Sequence, residues 1–133
     1  MSQRARSSLR SEAFGANPQA SPIDRRVQRV LRAIEADPSC EIQDLAQLVG
    51  LSSSRLSHLF KAATGVSLQS FLADARLQRA VELLLSTDMA VKEISYHVGY
   101  RHAPSFVRAF RNKVGASPND YRQRISLSSS ESG

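Results

Sequence analysis

With one cysteine, no tryptophan and 6% aromatic residues, this chain of 133 residues has few of the groups on which small proteins build chemistry. Cys40 alone cannot close an intramolecular disulfide or form a thiolate metal cage, both of which need several sulfurs. His58, His97 and His102 are scattered without ligand spacing, so neither a metal nor a cofactor is expected. No acid/base pair, nucleophile constellation or phosphate-cradling glycine loop is written in the sequence, which argues against an enzyme. No apolar run approaches the roughly 20 residues that cross a bilayer. The opening MSQRARSSLRSEAFGANPQASP has charge but no apolar centre, so it is not a secretory leader. A cytoplasmic protein without a membrane partner is the expectation.

Acidic residues are also scarce where bases gather. The net charge is +6. Residues 1–32 hold seven arginines against Glu12 and Asp24, and residues 100–124 hold six bases against Asp120 alone. Residues 40–99 are balanced, with five bases and six acids. Bases clustered this way suit a polyanion, because each neutralised phosphate releases condensed counterions.

The 41% of hydrophobic residues suffices for a core and falls almost entirely at helical spacing. Residues 1–22, rich in Ser, Arg, Gly and Pro, have no apolar period and read as a disordered basic tail. A helix opens near Pro22 or Asp24, carries Val27, Val30, Leu31 and Ile34 on one face, and stops before Pro38. After Tyr121 the pattern fades, and 126–133 read as a second tail. Between the tails no stretch alternates as a strand does. An all-α unit over 23–125 is predicted.

That unit repeats itself. IQDLAQLVG (42–50) aligns with VKEISYHVG (91–99) at an offset of 49 residues. From Phe60 and Phe110 onward the offset is 50, which also pairs Gly65 with Gly115, Ser67 with Ser117 and Phe71 with Tyr121. A one-residue slip confined to a turn indicates two copies of one supersecondary unit. Each copy begins with a short helix bearing Ile42, Leu45, Leu48 and Val49, or Val91, Ile94 and Val98. A small residue, Ala46 or Ser95, leaves room for a second helix. Gly50 and Gly99 suit a left-handed exit from the first helix, Ser52 or Ser53 can cap the next, and Pro104 fits its counterpart's first turn. Helix, tight turn and helix make a helix-turn-helix, predicted over 42–65 and again over 91–115.

The second helix of each unit divides by face at about 100° per residue. Leu56, Leu59, Phe60 and Ala63 point inward in the first; Phe106, Ala109 and Phe110 do so in the second. Outward project Ser54, His58 and Lys61, flanked by Arg55, Ser57 and Ala62, and then Pro104, Arg108 and Arg111, flanked by Val107 and Asn112. Short, polar and basic groups on one exposed face are what a helix lying in a major groove needs. Tyr96, Tyr100 and Tyr121 follow the packing period and read as core, while Cys40 reads as inert.

DLAQLVGLSSSRLSHLFKAATGVSLQSFL and EISYHVGYRHAPSFVRAFRNKVGASPNDYR together resemble the DNA-binding domain of the AraC/XylS family of bacterial transcription regulators, over about residues 23–124. The resemblance implies about seven helices, with two helix-turn-helix subdomains joined by a long central helix. It implies base contacts from Ser54, Ser57 and His58 in the first recognition helix and from Pro104, Val107 and Arg108 in the second. Ala103 and Pro104 stand where the family is often polar, which reduces the bases the second helix reads; Val114 replaces a common aromatic. A length of 133 residues leaves no room for the separate effector domain most members carry. Either a small stand-alone member or a fragment of a longer regulator is expected, and Met1 favours the former.

The pattern SLQSFLADARLQRAVELLLST makes the bridging helix, 67–87. Its twenty-odd residues would span roughly 30 Å, close to the roughly 34 Å of one DNA turn. One monomer could then read two adjacent major-groove segments of double-stranded DNA. Arg108 can contact a guanine bidentately or hold a phosphate. His58 is a reader or a plain surface residue. Lys61 and Arg111 lie a turn deeper and suit phosphates, with Arg55, Lys92, Arg101 and Arg122 as further anchors. RNA polymerase is the expected second partner of an activator. The alternative is a DNA or RNA binder indifferent to sequence.

Overall fold

The computed structural model describes residues 24–132, with side chains as far as Ile125; residues 1–23 and 133 lie outside the described residues. The N-terminal tail expected over 1–22 therefore falls outside them. Seven helices and no strand occur among the described residues: α1 (Arg25–Ala36), α2 (Ile42–Leu48), α3 (Ser53–Thr64), α4 (Leu68–Ser86), α5 (Val91–His97), α6 (Ala103–Val114) and α7 (Pro118–Ser132). The helical count and the two helix-turn-helix units, α2–α3 and α5–α6, are as the sequence predicts.

Local chemistry sets the boundaries. Asp24 caps α1 by accepting the Arg26 N–H at 2.8 Å, and two further hydrogen bonds from the Arg26 guanidinium hold its carboxylate. Those bonds lower the Asp24 pKa to about 2. Ser52 and Ser67 accept the Arg55 and Ser70 N–H groups, each at 3.1 Å, and so start α3 and α4. The C-terminus departs from expectation. α7 continues to Ser132 through residues read as a tail, because neither Gly nor Pro interrupts the chain between Asn119 and Ser132.

The repeat holds at the level of single hydrogen bonds. In the first turn Leu51 N–H donates to Ala46 O at 2.9 Å and Gly50 N–H to Gln47 O at 3.2 Å; in the second, Tyr100 donates to Ser95 at 2.9 Å and Gly99 to Tyr96 at 3.1 Å. This crossed pair is the Schellman arrangement, which requires the left-handed residue that Gly50 (φ 73°) and Gly99 (φ 112°) supply. The aromatic contacts repeat as well: Phe60 meets Phe71 at 5.4 Å between centroids, and Phe110 meets Tyr121 at 5.7 Å. Ser95, fully buried where the first copy has Ala46, donates its hydroxyl to Lys92 O at 2.7 Å.

Two hydrophobic cores result, and α4 serves both. The first joins Val27, Val30, Ile34, Leu45, Ala46, Leu56 and Phe60 to Leu68 and Leu72 of α4. The second joins Leu77, Ala80 and Leu84 of α4 to Ile94, Val98, Phe106 and Phe110. On a helical wheel the first α4 pair centres near 20° and the second set near 150°, taking Leu68 as zero and about 100° per residue. The helix thus turns one flank to each core, and the changeover falls at Arg76. Two expected core residues are corrected here: Leu48 is 43% and Tyr96 49% exposed. Their repeat partners are His97 and Gln47, polar residues on the same outer side of each short helix.

Asp37, which ends α1, accepts both the Ser39 hydroxyl at 2.6 Å and the Ser39 N–H at 3.1 Å. Those bonds hold its carboxyl below the ordinary range, with smaller help from Arg79 and His97. Cys40 packs against the first core, and burial raises its thiol pKa, as suits an inert cysteine.

Candidate nucleic-acid interface

α3 and α6 are each anchored by two fully buried residues one turn apart, Leu56 with Phe60 and Phe106 with Phe110. That anchoring fixes which face is left outside. Ser54, Arg55, His58 and Lys61 on α3 are exposed, as are Pro104, Arg108 and Arg111 on α6. Ser57 and Val107 are half-buried at the edge of that face. The offset of 50 residues pairs Ser54 with Pro104, Ser57 with Val107, His58 with Arg108 and Lys61 with Arg111. Two copies of one face are therefore presented, each with two permanent cations, Arg55 and Lys61 on the first and Arg108 and Arg111 on the second.

The charge of these faces is unopposed. Neither α3 nor α6 contains an Asp or Glu. Among the described residues the ion pairs involve Arg26, Arg76, Arg79 and Lys113, and none involves Arg55, Lys61, Lys92, Arg101, Arg108 or Arg111. Lys92 and Arg101 are exposed at the start of α5 and in the turn before α6. On two recognition helices that themselves carry no acid, cations without internal ion pairs are free to meet phosphate. Beside α3 an open groove of about 540 Å³, lined by Ser57, His58, Lys61, Ser67 and Gln69 together with the apolar Ala62 and Leu68, runs to the N-terminus of α4. There the helix dipole and its leading N–H groups add to the positive potential.

Arg122 is the exception, and its expected role is corrected. Its guanidinium donates to Leu84 O at 3.0 Å, Met89 O at 2.7 Å and Thr87 O at 3.1 Å. With all three nitrogens committed to part-buried carbonyls, it ties α7 to the end of α4 and does not reach outward. Arg76, which sequence reasoning passed over, does the same in the first unit: Nε donates to Pro38 O at 2.9 Å and Nη2 to Cys40 O at 2.8 Å. Pro38 and Cys40 align with Thr87 and Met89 at the offset of 49. The two arginines are not themselves repeat partners, so aligning the copies could not find them. No group of three or more His, Cys, Asp or Glu among the described residues could hold a metal ion, and no helix among them is long and apolar enough to cross a membrane.

Comparison with known proteins agrees with this geometry. A family model described as a helix-turn-helix domain matches residues 45–124, and one described as winged helix-turn-helix DNA-binding matches 23–63. The arabinose operon regulatory protein of Escherichia coli K12 is 38% identical over 104 residues, covering 76% of this chain and 36% of that protein. The C-terminal domain of AraT, a response regulator from Geobacillus stearothermophilus, superposes with a TM-score of 0.69 at 32% identity, covering 78% of this chain and 88% of that one. A probable AraC family transcriptional regulator from Rhodopseudomonas palustris gives 0.64 at 30% identity, covering 76% and 97%. The chain belongs to the AraC/XylS family of helix-turn-helix DNA-binding transcription regulators, a family of regulators and not of enzymes. It spans about a third of the length of the arabinose regulator it matches.

Proposed function

We propose that this protein binds double-stranded DNA sequence-specifically through α3 and α6 and regulates transcription from the sites it occupies. The observation that carries this reading is the duplicated outward face, acid-free and without internal ion pairs, held at both ends of one continuous helix. Ser54, Ser57, His58, Pro104, Val107 and Arg108 read bases; Arg55, Lys61, Lys92, Arg101 and Arg111 hold phosphates. Arg108 is the strongest single reader, because a guanidinium can meet guanine O6 and N7 together.

Both recognition helices belong to one chain, so a monomer suffices to occupy two adjacent major-groove segments. α4, at 19 residues, spans about 28 Å at 1.5 Å per residue, near the roughly 34 Å of one duplex turn. Contact with RNA polymerase is proposed for an activating role, and a cytoplasmic location follows from access to the chromosome.

DNA selected by the protein from a random library, then footprinted, tests the reading. Two half-sites about one turn apart are expected, with affinity retained against random competitor at physiological salt. Inserting about 5 bp between them should bring affinity down to the non-specific level, since one groove face turns away. Loss of binding to random competitor would support a sequence-indifferent binder instead.

A further inference from the structure

The two cores do not merge, so something besides α4 must fix the angle between the units. Arg76 sits where α4 changes flank, near 80° on the wheel that places the first core near 20° and the second near 150°. Its side chain is 15% exposed. On one side its guanidinium holds Pro38 O and Cys40 O, in the loop that leads into the first helix-turn-helix. On the other it covers the ring of Tyr100, with Cζ 5.8 Å from the centroid, within cation–π range.

Gly99 closes the same contact. A methyl group there would lie 2.8 Å from Arg76 Nε and 2.9 Å from Ser39 Cα, whereas one at Gly50, Gly65 or Gly115 would meet nothing within 4 Å. Gly50 fills the same turn of the first copy, so the crowding at Gly99 is not a demand of the turn. It records the backbone of the second unit pressed against the entry loop of the first, with Arg76 between them.

We propose that Arg76, clasped between residues 38–40 and Gly99–Tyr100, is the positioning residue that fixes the relative orientation of the two recognition helices and thereby the half-site spacing the protein accepts. The second clause rests on the DNA-binding reading above; the first does not. Arg122 supplies the natural control. It holds the equivalent carbonyls of the second unit, but its hydrogen bonds stay among α4, α7 and the loop before α5. Lysine cannot replace Arg76, because one ammonium cannot hold two carbonyls in a plane while lying over a ring.

The test begins without DNA. Spin labels at Arg55→Cys and Asn112→Cys, in a Cys40→Ser background, report the distance between α3 and α6 in the full chain below its melting temperature. R76A, R76K and Tyr100→Leu should each broaden that distribution about twofold or shift its mean, as a released hinge does, while R122A should leave it unchanged. Tyr100→Leu keeps both hydrogen bonds to the entry loop and so retains the test if R76A does not fold. Binding is then measured on selected sites with the half-site spacing changed by 1 bp. The wild type should lose about tenfold or more, and R76K should lose less than about threefold while keeping its base preferences within each half-site. A distance distribution in R76K and Tyr100→Leu that superimposes on the wild type overturns the clasp. A broadened distribution with an unaltered spacing profile overturns its role in DNA recognition. If the wild type itself shows no spacing preference, the DNA-binding reading fails while the label distances still judge the clasp.

Discussion

Arg122→Ala separates an arginine that holds the fold from one that holds DNA. The substitution removes three hydrogen bonds at 2.7–3.1 Å, to Leu84, Thr87 and Met89 carbonyls. A hydrogen bond from a charged donor contributes about 1.5–3 kcal/mol when its partner is left without replacement. These carbonyls are part-buried, so water recovers a share, and about 2–4 kcal/mol in total is expected. Such a loss is a large fraction of the 5–15 kcal/mol that typically holds a domain together. Each kcal/mol moves the melting midpoint of a domain this size by roughly 4–8 °C, so a fall of at least about 8 °C is expected on thermal denaturation followed by circular dichroism. Arg122→Lys, which can restore one of the bonds, should lie between. Measured on protein still folded at low temperature, the dependence of log K on log salt should keep its slope. The result that refutes this reasoning is an unchanged melting curve with a slope smaller by about one, which is the mark of a lost phosphate contact.

The remaining predictions concern the surface and the cap of α1. Arg108→Ala should relax the preference at one base position, a G·C pair, and cost about 1–3 kcal/mol there; a selected library read by sequencing checks it, and a uniform loss over all sequences would make Arg108 a phosphate anchor. Lys61→Ala and Arg111→Ala should each weaken binding to every sequence and reduce the salt slope by about 0.9, as titrations over a salt series will show. Asp24 should titrate at about 2 by carboxyl NMR, and Arg26→Ala should move it part of the way toward its ordinary range, since the Arg26 backbone N–H still donates. Because the folded value is depressed, the contribution of this cap is complete above about pH 4 and is lost as pH falls toward 2. Protection of the first α1 amides from exchange should decline over that interval.

What the sequence determined by itself is what local physics determines. Helix faces follow from the recurrence of Leu56 and Phe60, or Phe106 and Phe110, at one-turn spacing, which needs no knowledge of the partner helix. Caps at Ser52 and Ser67 and the left-handed exits at Gly50 and Gly99 follow from side-chain reach and from the missing Cβ. The outward residues of α3 and α6 were legible for the same reason, since fixing the buried face fixes the opposite one. The tertiary structure decided everything that depends on two distant segments meeting. Residue spacing along 67–87 shows a helix, but it does not show that α4 serves one core with Leu68 and Leu72 and another with Leu77, Ala80 and Leu84. Leu48 and Tyr96 carry the right residue type for a core on a helix that has nothing packed against that side. Arg76 and Arg122 look in sequence like any basic residue in a DNA-binding chain. Only the approach of carbonyls 36 and 38 residues from Arg76, and up to 38 from Arg122, turns them inward, because a guanidinium goes where unpaired acceptors are, and acceptors at that distance are placed by the fold alone.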